Sequence, residues 1–256
     1  KPMSFDAGSR TPSRMVRSTC AHARIKNIDV AAARSMPGVH AVFTGNDIAQ
    51  HVKPLRVGGS SVLRPVKLYP LAVDKVRYFG EPLAVIVADS RYLAEDATEA
   101  VSVDYEMLPV VVDPEAAMEP GAPAVHEDVG TNIVYKYHFS SEGIEKVFRE
   151  AEVVIKERIR SHRITACPIE PRAYLCDYDA ARDCYTLYAT TQQPHYLRRW
   201  LALYTLHIPE HRIRVISPDV GGGFGVKGNF AVEVSTVVWA AQLLRRPVKW
   251  TATRTE

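Results

Sequence analysis

The run "NFAVEVSTVVWAAQLL" (229–244) is apolar on nearly every side when wound as a helix. A helix with no polar face cannot lie on a surface, so other elements must enclose it. "LAVIVAD" (83–89) makes the same demand in extended form, because a continuous apolar run suits a strand covered on both faces. A chain that must satisfy both needs a layered core. Its 256 residues, 46% hydrophobic and 24% charged, are enough for one large or two ordinary globular domains.

The rest of the chain mixes strand and helix signals, so the fold class expected is α+β. "GVHAVFTG" (38–45) reads as a strand between turns. Ser90 is placed to cap a helix whose Leu93, Ala97, Ala100 and Val101 share a face. "VSVDY" (101–105) and "LPVVVD" (108–113) return to strand character. "DPEAAMEPGAPAVHEDVGTN" (113–132), with Pro114, Pro120, Pro123, Gly121 and Gly130, reads as a linker. Strands are expected over 132–139 and in "AEVVIKERIRSH" (151–162), with a helix after Ser141 between them. Two more strands flank "DAARD" (179–183). Pro194 sits where a helix can begin, and Leu197, Trp200, Leu201 and Tyr204 form its buried stripe. "RIRVIS" (212–217) and "PVKWTATR" (247–254) complete the strands. The boundaries that follow are a loose polar arm over 1–15, a first domain over 16–118, a linker over 119–131 and a second domain over 132–256.

Net charge is +3, too small to argue for nucleic acid, and the basic clusters at 156–163 and 243–249 read as solvated faces. The four cysteines make no C-x-x-C pair, which suits reduced thiols and a cytoplasmic location. No apolar run reaches the roughly 18 residues of a membrane span.

Chemistry concentrates in "PDVGGGFGVKGNF" (218–230), where Gly221, Gly222, Gly223, Gly225 and Gly228 surround Phe224. Such a backbone lets a ligand approach its amides closely. Gly223 to Gly228 fit G-x-G-x-x-G literally, so an NAD-type dinucleotide site is one reading. However, Pro218 and Asp219 separate the glycines from the strand, and the acidic ribose ligand is missing. Gly228 after Lys227 leaves no hydroxyl for a P-loop magnesium. His207 and His211 have zinc-site spacing, but Pro209 breaks the helix between them.

Four stretches taken together resemble the molybdenum-cofactor subunit of the molybdenum hydroxylases, the family of xanthine dehydrogenase, aldehyde oxidase and aerobic carbon monoxide dehydrogenase. They are "VRSTCAHARIKNIDVAAARSMPGVHAVFTGNDI" (16–48), "VRYFGEPLAVIVADSRYLAEDATEAVSVDYEMLPVVVDPEAAM" (76–118), "CPIEPRAYLCDYD" (167–179), and "TTQQPH" (190–195) with "VISPDVGGGFGVKGNF" (215–230). The resemblance implies an α/β hammerhead domain followed by the N-terminal part of a molybdopterin-binding α+β domain.

By the same resemblance, Thr191-Gln192 matches the family's Thr-Gln pair, whose carboxamide hydrogen-bonds an oxo ligand of molybdenum. Gln193 takes that place if the register shifts by one. Gly222, Gly223, Phe224 and Gly225 match the loop that runs beside the metal and its pterin, with Phe224 at the metal. Backbone amides are fixed dipoles that meet negative oxygens without added charge. Asp219 and Lys227 are expected to pin the loop ends. Gly228 stands where purine-oxidising members carry a substrate-binding glutamate, which argues against a xanthine-like purine. The family's catalytic base, a late glutamate, has no counterpart here, so no catalytic residue is assigned and the chain alone is expected to be inactive. The resemblance further implies a molybdenum-pterin cofactor, its cytosine dinucleotide form included. It also implies FAD-binding and iron–sulfur partner subunits, the C-terminal remainder of the molybdenum subunit, and an aldehyde, heteroaromatic or carbon monoxide substrate oxidised with water. A metal-free fragment that only docks on partner subunits is the alternative outside enzyme function.

Overall fold

The computed structural model describes residues 10–56 and 66–256. Strands β1 (Thr11–Arg17) and β2 (Ala23–Asp29) precede the short helix α1 (Ala31–Ser35), β3 (Val39–Thr44) and helix α2 (Gly45–Ala49). Three two-residue strands follow, β4 (Leu55–Arg56), β5 (Lys67–Leu68) and β6 (Lys75–Val76). They lead to β7 (Pro82–Ala88), helix α3 (Arg91–Glu99) and β8 (Ser102–Met107). Helix α4 (Ile144–Glu150) stands in a long irregular stretch. After it come β9 (Ala173–Asp179), β10 (Cys184–Ala189), α5 (Pro194–Trp200), β11 (Ile213–Ile216), α6 (Val232–Leu244) and β12 (Val248–Thr251).

A seven-stranded sheet, ordered β11-β10-β9-β12-β1-β7-β3, organises the molecule. β7 is buried along its whole length, as its unbroken apolar run requires. Val85 and Val87 enter the larger core, while Ala84, Ile86 and Ala88 enter a second core lined by Ala94 and Ala97 of α3. The period of two along a strand sorts these side chains between the faces. Ser90 caps α3, its side chain accepting the Leu93 N–H at 3.1 Å. Beside this sheet, β6, β2 and β8 form a small sheet over Ala72, Val76 and Leu83.

Helix α6 is buried from Glu233 to Ala241 and fills the larger core with Trp239, Trp250, Tyr185 and Leu187. Its one buried carboxylate, Glu233, receives Arg17 Nη2 at 2.8 Å, with Arg172 Nη2 at 3.9 Å. The buried charge is therefore met by guanidinium rather than left bare.

Several expectations are corrected. Residues from Thr11 onward, expected in a loose arm, form β1 in the middle of the sheet, parallel to β12 and antiparallel to β7. Thr11, Ser13 and Arg14 are polar yet buried. Ser13 Oγ donates to the Lys249 carbonyl at 3.0 Å, and Arg14 pairs with Glu95 and Glu256 at 3.0 and 3.6 Å. Residues 1–9 of that arm lie outside the described residues. The strands expected over 108–113, 132–139 and 151–162 are absent; these residues form neither strand nor helix. Tyr135, Tyr137, Phe139, Val153, Ile155 and Ile159 are exposed there. Alternating β-formers dispose the backbone to extend, but a strand exists only with a paired edge, and none of the described strands pairs with them. Helix α4 forms as expected, with Val147 and Phe148 of its apolar face exposed.

Candidate cofactor-facing loop

The sheet topology brings the candidate residues together. β10 and β11 are parallel, Tyr185 pairing Ile213 through to Tyr188 pairing Ile216, so both chains leave the sheet at one end. β9 runs antiparallel to both β10 and β12, so its start, and the end of β12, lie at that end too. Four stretches therefore converge there: the residues before Ala173, Thr190–Gln192 after β10, the glycine loop after β11, and Ala252–Glu256 after β12.

Gln192 holds the loop from one side. Its Oε1 accepts the Gly225 N–H at 3.0 Å, and its own N–H donates to the Lys227 carbonyl at 3.0 Å. Thr191 Oγ1 donates to the same carbonyl at 3.2 Å. Gly222 (φ 91°), Phe224 (φ 50°) and Gly225 (φ 93°) lie in the left-handed region, where a non-glycine residue is strained. Phe224 accepts that strain and presents its ring outward at 77% exposure. Its Cε2 would lie 2.8 Å from a Cβ on Gly222. Phe224 joins none of the hydrophobic cores among the described residues.

The loop leaves donors unused. The N–H groups of Gly223 and Phe224 and the Gln192 Nε2 make no hydrogen bond among the described residues. With Oε1 engaged by Gly225, the unbonded polar group of the carboxamide is its Nε2 donor. A rim of uncommitted N–H groups on a loop of positive-φ residues is an arrangement suited to an anionic or oxygen-rich ligand.

Glu170 and Lys227 hold the loop from behind. Lys227 Nζ reaches Glu170 Oε2 at 2.7 Å, and the Gly221 N–H donates to the same oxygen at 2.7 Å. The Lys227 hydrogen bond, aided by the Gly221 amide, holds the Glu170 carboxyl below its ordinary range. A cavity of about 440 Å³ opens beside this pair, lined by Cys167, Arg172 and Arg254 among others. Arg254 Nη2 donates to Cys167 Sγ at 3.0 Å.

Of the remaining candidates, Gln193 does not bond the loop; its N–H donates to Thr191 Oγ1 at 3.2 Å. Lys227 does pin a loop end, whereas Asp219 is exposed and makes no bond among the described residues. His207 is an exposed helix-terminal residue with φ 53°, and no group of three His, Cys, Asp or Glu that could hold a metal ion occurs among the described residues. β11 ends at Ile216, and α6 begins only at Val232. The glycines therefore do not form the tight strand-to-helix turn of a dinucleotide fingerprint. Glu170 lies within the stretch 167–179, and no spacing rule marks a carboxylate 51 and 57 residues from its partners.

Strands β1, β3 and β7 share one sheet with β9 to β12, the strands that carry the candidate site. Residues 8–109 match the model described as "Aldehyde oxidase and xanthine dehydrogenase, a/b hammerhead domain", and residues 125–256 match "Molybdopterin cofactor-binding domain". The chain belongs to the aldehyde oxidase and xanthine dehydrogenase family of molybdopterin-dependent oxidoreductases. It is 41% identical to the carbon monoxide dehydrogenase large chain of Afipia carboxidovorans over 94% of its length and 31% of the relative's. It is 39% identical to the nicotine 6-hydroxylase large subunit of Paenarthrobacter nicotinovorans, over 94% of this chain and 29% of that one. Among solved structures, quinoline 2-oxidoreductase from Pseudomonas putida 86 superposes with a TM-score of 0.90 at 34% identity, covering 97% of this chain and 32% of that chain. The chain thus spans about a third of the length of these relatives. No helix among the described residues is long and apolar enough to cross a membrane.

Proposed function

We propose that this chain forms one wall of a molybdenum-pterin site in a cytoplasmic hydroxylase, with Gln192 and Gly222–Gly225 as the residues that face the cofactor. The observation that carries this reading is the Gln192 Oε1 to Gly225 N–H bond, which ties the carboxamide to the loop whose Gly223 and Phe224 amides are unbonded among the described residues. The residues present fit such a group. Unused N–H donors suit oxo and pterin acceptors, and the glycines keep Cβ atoms out of the approach.

When bound, the molybdenum cofactor supplies the oxygen-transfer and two-electron chemistry. In this chain, Gln192 Nε2 and the Gly223 and Phe224 amides would donate hydrogen bonds to hold it, and the exposed Phe224 ring would screen it from water. The domain division at about residue 118 and the cytosine dinucleotide form of the cofactor belong to this reading. So do FAD-binding and iron–sulfur partner subunits and the rest of a molybdenum subunit. The substrate class is an aldehyde, a heteroaromatic ring or carbon monoxide, oxidised with water; named relatives act on carbon monoxide and nicotine.

The test is assembly. The chain is co-expressed with the remaining molybdenum-subunit segment and the two partner subunits, in a host that makes the cofactor. The purified complex is then assayed for molybdenum and for nucleotide released by acid. Stoichiometric molybdenum with released cytidine monophosphate is expected. A stable complex without molybdenum would overturn the reading in favour of a docking fragment.

A further inference from the structure

The geometry points to Glu170 as a positioning residue that sets the glycine loop's shape from behind. This deepens the reading above and rests on it only for what the loop holds. One carboxylate oxygen, Glu170 Oε2, receives both ends of the loop: the Gly221 N–H and Lys227 Nζ, each at 2.7 Å. The Glu170 N–H also donates to the Gly221 carbonyl at 3.4 Å, so residue and loop end are joined twice. Gly221 has to be glycine for this, since a Cβ there would lie 2.7 Å from Glu170 Cβ.

Lys227 makes the clamp obligatory. Its side chain is 0% exposed, and Glu170 is its one ion-pair partner among the described residues. A buried ammonium deprived of its carboxylate must be rehydrated, which means moving the main chain that carries it. That main chain holds the other half of the site, because the Lys227 carbonyl accepts from Gln192 N–H and Thr191 Oγ1. Gln192 in turn fixes the Gly225 amide. The connection runs from Glu170 through Lys227 and Gln192 to Gly225, and it fixes the loop that carries the unbonded Gly223 and Phe224 amides.

Amide hydrogen exchange of the ¹⁵N-labelled chain tests this without any cofactor. Glu170→Ala is expected to raise exchange at Gly221 and Gly225 about tenfold or more, while β10 amides keep their protection. Glu170→Gln, which keeps an acceptor for Gly221 but leaves the ammonium unpaired, should loosen Gly225 as well. Combining Glu170→Gln with Lys227→Met removes the buried charge and should restore Gly225 protection. The proposal is overturned if Gly225 is unaffected in the alanine variant. It is equally overturned if Glu170→Gln lowers protection in β10 and α6 in parallel, or if the double variant gives no recovery. In the assembled enzyme, molybdenum content should fall with Gly225 protection; undiminished molybdenum beside a loosened loop would sever the clamp from the cofactor. A wild-type complex lacking molybdenum would count against the cofactor reading, leaving the exchange data to judge the clamp.

Discussion

Gln192 lies in space that only a glycine leaves: a Cβ on Gly223 would sit 2.5 Å from Gln192 Cδ and 2.6 Å from its Oε1. The side chain cannot yield without giving up the Gly225 amide. Gly223→Ala is therefore expected to displace the carboxamide and lower molybdenum retention in the assembled enzyme. Gly225→Ala is a contrasting control. Its Cβ meets nothing within 4 Å, so only the strain at φ 93° is felt, costing about 1–3 kcal/mol. Urea denaturation of both variants, with side-chain amide spectra of Gln192, separates displacement from strain.

The Glu170 clamp should respond to acid in a defined direction. Lys227 and the Gly221 amide lower the folded-state pKa of Glu170. Its contribution is then complete above the ordinary carboxylate value of about 4 and is lost as pH falls through the lowered value. Loop protection factors should hold from neutral pH down to about 5 and decline only in stronger acid. Loss of protection near pH 6 would contradict the assignment.

Arg17 and Glu233 join β1 to the buried helix α6 at 2.8 Å. Glu233→Ala still leaves Arg17 paired with Glu256 at 2.9 Å, so it should cost about 1–3 kcal/mol, less than an unpaired buried charge would. Replacing both partners, Arg17→Met with Glu233→Leu, should cost less than Arg17→Met alone, which leaves the buried Glu233 with only Arg172 at 3.9 Å among the described residues. Urea titrations of the two single variants and the double variant supply the comparison.

Thiol reactivity should follow burial. All four cysteines are free; Cys167 is exposed and Cys176 is buried, burial pushing the Cys176 thiol up. A chromogenic disulfide reagent should modify Cys167 in the native protein and reach Cys176 only on unfolding. Rapid modification of Cys176 in the native chain would show that the sheet opens locally.

What could be read from the residues follows from the kind of signal each carried. β7 and α6 announce themselves because complete burial leaves an unbroken apolar run. β1 does not, because it buries polar Ser13 and Arg14, whose bonding and charge partners, Lys249 and Glu256, lie far along the chain. The strands expected near Tyr135 and Ile155 failed for the opposite reason: alternation fixes a local preference, but a ladder needs a second edge. At the site, the Gln192 and glycine-loop elements were legible through their resemblance to a family. The Glu170 to Lys227 pair was not, because a contact across 57 residues leaves no periodic mark.

The pairing of β1 with β12 also dictates when the seven-stranded sheet can close. Ser13 bonds Lys249 across 236 residues, so closing that gap costs about 5 kcal/mol in chain entropy before any neighbouring contact is gained. During synthesis, β1 can join β7 early, but its other edge must wait until β12 has left the ribosome. Until then the growing chain carries an open hydrogen-bonding edge, the feature from which intermolecular strand exchange begins.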